Sequence, residues 1–176
     1  YTAPQPRVVS VSPANGQSGV SLNTPVVAEF SQSLDPSTVT TSNFSITKGG
    51  VSVSGSLTLS EGIYGPNTIV TFAPTNPWST SSSYSLYIST GIKSATGSPL
   101  LNYVYASFST GTVLDNQAPY VVGVNPPDGA MEVATNSVVT VQFSESMAPS
   151  TINRLSFRVS DSVGDILGRV VMKSST

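Results

Sequence analysis

The sequence predicts an all-β protein made of antiparallel β-sandwich modules in tandem, and three observations carry this prediction. Apolar residues alternate with polar ones over short segments, which is the pattern of a half-buried strand. The 14 glycines and 13 prolines among 176 residues interrupt the chain too often for long helices. The first part of the chain also recurs in the second, so the fold of the first part is expected twice.

The repeat is ungapped at an offset of 113 residues. Residues 6–60 align with residues 119–173, and 17 of these 55 aligned positions are identical. Thr176 aligns with Ile63, so the second copy has no counterpart of residues 64–113. We predict a complete module at residues 1–113, a linker at 114–118 and the N-terminal half of a second module at 119–176. We expect the rest of that module to lie outside this sequence; the alternative is a second chain that donates the missing strands.

The strand pattern is the same in both copies. Val9 and Val11 predict a first strand in which both side chains are buried, and Asn15-Gly16 predicts the turn after it. In the next strand an inward face of Val26, Ala28 and Phe30 alternates with Val27, Glu29 and Ser31 on the other face. The predicted core is completed by Phe44, Ile46, Val70, Phe72, Tyr84, Leu86 and Phe108. The second copy repeats the inward set with Val122, Val124, Val139, Val141, Phe143, Phe157 and Val159.

Two local signals predict interruptions of the strands. Asp35-Pro36 is typical of an N-cap followed by proline in a short helical turn, which we expect to cross between the sheets. Gly55, with Gly168 at the equivalent position, indicates a bulge in the strand that runs from Val51 to Leu59. About seven short strands with turns between them favour a two-sheet sandwich.

The order of these motifs resembles the bacterial Ig-like domain family called Big_5, or SbsA-type Ig-like. The stretches that carry the resemblance are Pro6–Gly16, Phe30–Thr38, Phe72–Pro74, Tyr84–Ile88, Lys93–Pro99 and Phe108–Gly111. The resemblance covers all of copy one and all of copy two that is present. It implies an immunoglobulin-like antiparallel β-sandwich. The chain departs from the family at Lys93–Ser98, where the family favours Asp and Asn.

Composition excludes several classes of function. Charged residues are only 9% of the chain and the net charge is −2, so no basic surface is available for nucleic acid. The 32 serines and 19 threonines keep the surface hydrated instead. No apolar run has the roughly 20 residues of a membrane-spanning helix. The chain has no His and no Cys, which removes the commonest catalytic base, metal ligand and thiol nucleophile. We therefore predict no enzymatic activity and no cofactor other than calcium.

The candidate functional residues are few. Tyr87, Tyr103 and Tyr105 alternate outward from their strands and predict a contact surface for a glycan or a protein. Trp78 is expected to pack in the core rather than serve as a sugar-binding platform, and Tyr84 resembles the tyrosine corner of Ig-like sandwiches. At the linker, Asp115 and Asp128 are the candidate calcium ligands; the alternative is a solvated polar hinge.

The sequence favours a structural or spacer role in a secreted or cell-surface bacterial protein, such as a surface layer, an adhesin stalk or a filament. Its partners would be the neighbouring Ig-like modules of the same chain. The alternatives are a glycan- or protein-binding module and an accessory domain of an extracellular enzyme.

Overall fold

The computed structural model of the chain describes residues 4–145, 147, 152, 156–166 and 168–171. The strands within these residues are β1 Val8–Ser12, β2 Gln17–Val20, β3 Val26–Phe30, β4 Phe44–Lys48, β5 Val51–Ser52, β6 Gly55–Gly62, β7 Gly65–Pro74, β8 Ser83–Ile88, β9 Val104–Thr110, β10 Val121–Asn125 and β11 Thr140–Phe143. No helix in this part of the chain is long and apolar enough to cross a membrane.

Copy one is an Ig-like β-sandwich, as predicted. A four-stranded sheet of order β1-β3-β7-β6 packs on a five-stranded sheet of order β2-β9-β8-β4-β5. Neighbouring strands are antiparallel apart from β2, which pairs in parallel with β9. The inward side chains of the two sheets form one apolar core, to which Phe30, Phe44, Phe72, Leu86 and Phe108 contribute. This core is the apolar surface that folding removes from water.

The prediction that Val9 is buried is wrong. Val9 is 43% exposed, because the β1–β3 register shifts between Val8 and Ser10. This bulge adds one residue to β1, so the alternation of inward and outward side chains is interrupted at Val9. Val8 and Val11 pack against the core instead.

The outward face of β3 also differs from the expected polar pattern. Val27 is buried, and so is Ile69, which lies opposite Glu29 on β7. The tip of the β6–β7 hairpin lies over this face: the Ile63 N–H donates a hydrogen bond to the Glu29 carboxylate. At Gly62 the backbone is so close that a Cβ would lie 2.9 Å from the Ile69 side chain. Part of the outer face is therefore covered by the protein itself.

Gly55 marks a change of sheet rather than a bulge within one strand. The predicted continuous strand is divided into β5, in the five-stranded sheet, and β6, in the four-stranded sheet. A Cβ at Gly55 would lie 2.3 Å from the Phe72 ring. Glycine is required here by that close approach, because the crossing backbone lies directly against a core aromatic ring.

The short turn between β3 and β4 forms as predicted. Pro36–Thr38 is a single 3₁₀ turn, and the Asp35 carboxylate accepts a hydrogen bond of 3.0 Å from the Ser37 N–H. Hydrogen bonds from the Ser37 hydroxyl and backbone N–H lower the pKa of Asp35. The turn connects β3 of one sheet to β4 of the other.

The described part of copy two repeats the geometry of β1 and β3. Strands β10 and β11 pair antiparallel with a register shift at the equivalent place, between Val121 and Gly123. Tyr120 exchanges two hydrogen bonds with Ser144, as Arg7 does with Ser31 in copy one. In β10, Val122 and Val124, both in the predicted inward set, are exposed.

The remainder of copy two is less regular. Phe157 and Val159 do not lie in a strand; an isolated bridge joins Ser160 to Asp165. In copy one the equivalent strand, β4, pairs with β8.

Candidate functional site

The structure places the three outward tyrosines side by side on the outer face of the five-stranded sheet. Tyr87 on β8 lies directly opposite Tyr105 on β9. Tyr103 precedes β9 and lies two residues from Tyr105, so the two side chains leave the same face. Their exposed fractions are 41% for Tyr87, 64% for Tyr103 and 61% for Tyr105. We call these three residues the tyrosine patch.

The rings of the tyrosine patch are held by contacts within the sheet. The Tyr87 and Tyr103 ring centroids are 6.0 Å apart, and the ring planes are tilted by 37°. The Tyr105 hydroxyl is 2.9 Å from the Ser85 hydroxyl, close enough for a hydrogen bond. Two of the rings thus pack against each other, and the third is anchored at its polar end.

The face around the patch is rich in hydroxyl groups and carries no charge. Ser85 and Ser107 are cross-strand neighbours, as are Ser83 and Ser109. On β4, Ser45 lies opposite Tyr87 and Thr47 opposite Ser85. Lys48, at the end of β4, directs its ammonium group over the Tyr84 ring at 5.9 Å, and Tyr84 faces the core. The outward side chains of these strands are therefore aromatic rings and hydroxyl groups.

Trp78 and Tyr84 are structural, as the sequence predicts. Trp78 is 3% exposed, and its indole N–H donates a 2.7 Å hydrogen bond to the Thr24 carbonyl. Its ring packs against Phe72, Tyr84 and Phe108. The Tyr84 hydroxyl accepts a 2.8 Å hydrogen bond from the Ser79 N–H, and so fixes the loop that carries Trp78. Neither ring is available as a ligand platform.

The linker is exposed but attached to copy one. The Leu22 N–H donates to the Val113 carbonyl at 3.1 Å. Asn23 and Asp115 exchange two hydrogen bonds of 3.1 Å between the Asn23 side chain and the Asp115 backbone. The Asp115 carboxylate accepts a hydrogen bond from the Gln117 N–H. These hydrogen bonds hold the segment that follows β9 against the segment that follows β2.

Asp115 faces a carboxyl group that the sequence analysis did not single out. A hydrogen bond with Asp115 and the loss of hydration raise the pKa of Glu145. Asp128, the other predicted ligand, is exposed in the turn after β10. Within the described ranges no three acidic, His or Cys side chains are grouped closely enough to hold a metal ion. Calcium at the junction stays a prediction, to be tested by whether added calcium raises the melting temperature.

A model of the bacterial Ig-like domain family, Big_5, matches residues 2–110 and again 115–175. The chain belongs to this family. The two matched segments correspond to the two tandem copies. The pairing of β1 with β3 in the first copy recurs as the pairing of β10 with β11 in the second. No curated protein sequence matches the chain.

Several solved structures are similar to parts of this chain at low identity. The S-layer protein rSbsC(31-844) is 21% identical, with a TM-score of 0.45; the match covers 69% of this chain and 15% of that one. The L,D-transpeptidase LdtMt1 in complex with imipenem is 22% identical, with a TM-score of 0.43 and coverage of 61% and 41%. CopC from Methylosinus trichosporium OB3b is 16% identical, with a TM-score of 0.45 and coverage of 64% and 99%. The chain thus spans a small part of the S-layer protein.

The turn at Lys93–Ser98 is stabilised by hydroxyl groups. Ser94 is buried, and its hydroxyl lies 2.9 Å from that of Thr96. It also accepts a 3.1 Å hydrogen bond from the Ser98 N–H. The Lys93 carbonyl accepts a hydrogen bond from the Asp35 N–H, which ties the turn to the 3₁₀ segment. The side-chain contacts within this turn are thus made by serine and threonine hydroxyls, and the turn itself contains no carboxylate.

Proposed function

We propose that this chain is a load-bearing spacer segment of a secreted or cell-surface bacterial protein and that it has no catalytic role. The observation that carries the proposal is the parallel pairing of β2 with β9. These strands lie near the two ends of copy one, so the pairing connects the points at which tension enters and leaves the module.

The two ends of copy one lie at opposite ends of β9. The Leu101 N–H donates a 2.8 Å hydrogen bond to the Pro6 carbonyl, which places the incoming chain beside the residues that precede β9. The linker leaves from the other end of β9. A pull along the chain must therefore slide β2 past β9, because the strands are parallel. Sliding loads all the hydrogen bonds between them together, whereas peeling would break them one at a time.

The bonds that would carry this load extend beyond the two strands. The Gly16 N–H donates to the Ser107 carbonyl at 2.7 Å and the Gly111 N–H to the Val20 carbonyl at 2.8 Å. The contacts of Leu22 with Val113 and of Asn23 with Asp115 continue the series into the linker. We call this series, from Gly16 to Asp115, the terminal clamp.

Composition and family support the same role. The family consists of bacterial Ig-like domains, and this member lacks the His and Cys that most often supply bases and thiol nucleophiles. Its partners in this role are the neighbouring modules of the same chain. Placement outside the cell agrees with a surface that is rich in hydroxyl groups and poor in charge.

Force spectroscopy on the chain, held at its two ends, tests the proposal. Asn23→Ala removes two hydrogen bonds of the terminal clamp and should lower the unfolding force of copy one. The matched control is Thr96→Ala, which removes one hydroxyl hydrogen bond in a turn outside the clamp. Equal forces for both variants and the unchanged chain would contradict a load-bearing clamp.

A further inference from the structure

We propose that the tyrosine patch binds an uncharged polysaccharide, taken up as a single glycan chain on the outer face of the five-stranded sheet. This activity is additional to the spacer role and does not depend on it. It rests on the geometry of the three rings, on the chemistry of the face around them and on the position of the patch in the module.

The rings present apolar surface in a fixed arrangement. Tyrosine combines an apolar ring with a polar hydroxyl group, and a sugar ring likewise has a C–H face and a rim of hydroxyls. The hydrogen bond between Tyr105 and Ser85 and the contact between Tyr87 and Tyr103 hold the rings before any ligand arrives. Prior ordering reduces the conformational entropy that binding must remove.

The chemistry of the face selects an uncharged ligand. The outward side chains beside the patch are Ser45, Thr47, Ser83, Ser85, Ser107 and Ser109. A charged polymer would lose hydration here and gain no opposite charge in return. An apolar protein surface would leave the serine hydroxyls without partners. A neutral glycan matches the absence of charge, because it offers hydroxyl groups to the serines and C–H faces to the rings.

The tilt between rings favours a flexible chain over a crystalline surface. Flat binding of a crystalline polysaccharide needs coplanar rings, whereas the planes of Tyr87 and Tyr103 differ by 37°. Successive sugars of a soluble chain can rotate relative to each other, so that each meets one ring.

The patch lies away from the linker to copy two. It lies at the beginning of β9, and the linker to copy two leaves the strand at its end. The seven residues of β9 separate the two by about 20 Å, at roughly 3.3 Å per residue. The patch and the linker are therefore at opposite ends of β9.

Native gels that contain a soluble polysaccharide provide the test, with the whole chain as the sample. We expect migration to be slowed by at least one of three neutral polymers (xyloglucan, galactomannan and dextran) and not by the anionic polygalacturonate. Tyr87→Ala and Tyr105→Ala should each weaken the binding about ten-fold or more, as expected for a central aromatic contact. Thermal melts confirm that these exposed substitutions leave the fold intact.

Tyr120→Ala is the matched control, because Tyr120 is as exposed as the patch tyrosines and lies outside the patch. It should bind like the unchanged chain. The proposal is overturned if none of the neutral polymers slows migration, or if Tyr120→Ala weakens binding as much as the patch variants. It is also overturned if sedimentation shows that the patch joins two copies of the chain and is thereby closed to glycan. None of these results bears on the terminal clamp, which force measurements test separately.

Discussion

At the scale of single residues, burial decides which side chains the fold depends on. Phe30 is fully buried between the two sheets, whereas Val9, on the neighbouring strand, is turned outward by a bulge. The two residues look alike in a hydrophobicity pattern, and their contributions to stability should differ widely.

Phe30→Ala should lower the free energy of unfolding by about 3–5 kcal/mol, since it removes a buried ring and leaves a cavity. Val9→Ala should change it by no more than about 0.5 kcal/mol, as is usual for exposed positions. Urea denaturation of both variants measures the difference. If the two variants lose similar amounts of unfolding free energy, Val9 is not turned outward by the bulge.

Glu29 predicts a dependence of stability on pH. Burial raises the pKa of its carboxyl above the usual value, although hydrogen bonds from Ile63 and Ser10 oppose the rise. The folded state therefore binds the proton more tightly than the unfolded state, and stability falls as pH rises above about 4.5. Glu29→Gln removes this effect.

The Glu29→Gln variant should thus be more stable than the unchanged chain at pH 7, and the advantage should vanish near pH 4. Denaturant midpoints at the two pH values measure it. If Glu29→Gln changes the denaturant midpoint equally at pH 7 and pH 4, burial does not raise the pKa of the Glu29 carboxyl.

At the scale of elements, the period-two pattern was sufficient for strands with one buried face. β4, β8 and β9 follow it, and the outward positions of Tyr87 and Tyr105 come from the same alternation. β3 and β7 depart from it, because Val27 and Ile69 are buried on the outer face as well. β2 could not be predicted this way, because Gln17-Ser18-Gly19 is exposed and the strand exists through its pairing with β9, far away in sequence.

Features that depend on two distant segments were also missed. The bulge at Val9 and the contact of Asp115 with Glu145 have no local signal, because each is set by how separate segments meet. The sequence indicates an interruption at Gly55 but not why glycine is needed there, because only the folded chain brings the Phe72 ring against it.

Gly55→Ala tests that reason. An added methyl group would overlap the Phe72 ring, so the variant should lose about 1–3 kcal/mol of stability, the range for overpacked cores. Gly123→Ala is the control, because nothing lies within 4 Å of the added carbon. If thermal melts show both variants to be equally stable, the chain does not cross between the sheets against Phe72.

At the scale of the whole molecule, the two proposed roles occupy different parts of copy one. The terminal clamp lies along β2, β9 and the linker, whereas the tyrosine patch lies at the beginning of β9 and on β8. A module can therefore transmit tension through its ends while one sheet face remains free for glycan. The central claim is that copy one resists force along the chain because β2 and β9 are parallel.

The most direct test of that claim is the dependence of the unfolding force on the direction of pull. The chain has no Cys, so a pair of introduced cysteines defines the direction uniquely. Gln5→Cys with Thr112→Cys pulls along the strands and shears the clamp. Ser21→Cys with Thr112→Cys pulls at the same end of β2 and β9, where Val20 is paired with Thr110, and unzips them. We predict a clearly higher unfolding force for the first pair; equal forces, or a higher force for the second, would contradict the account.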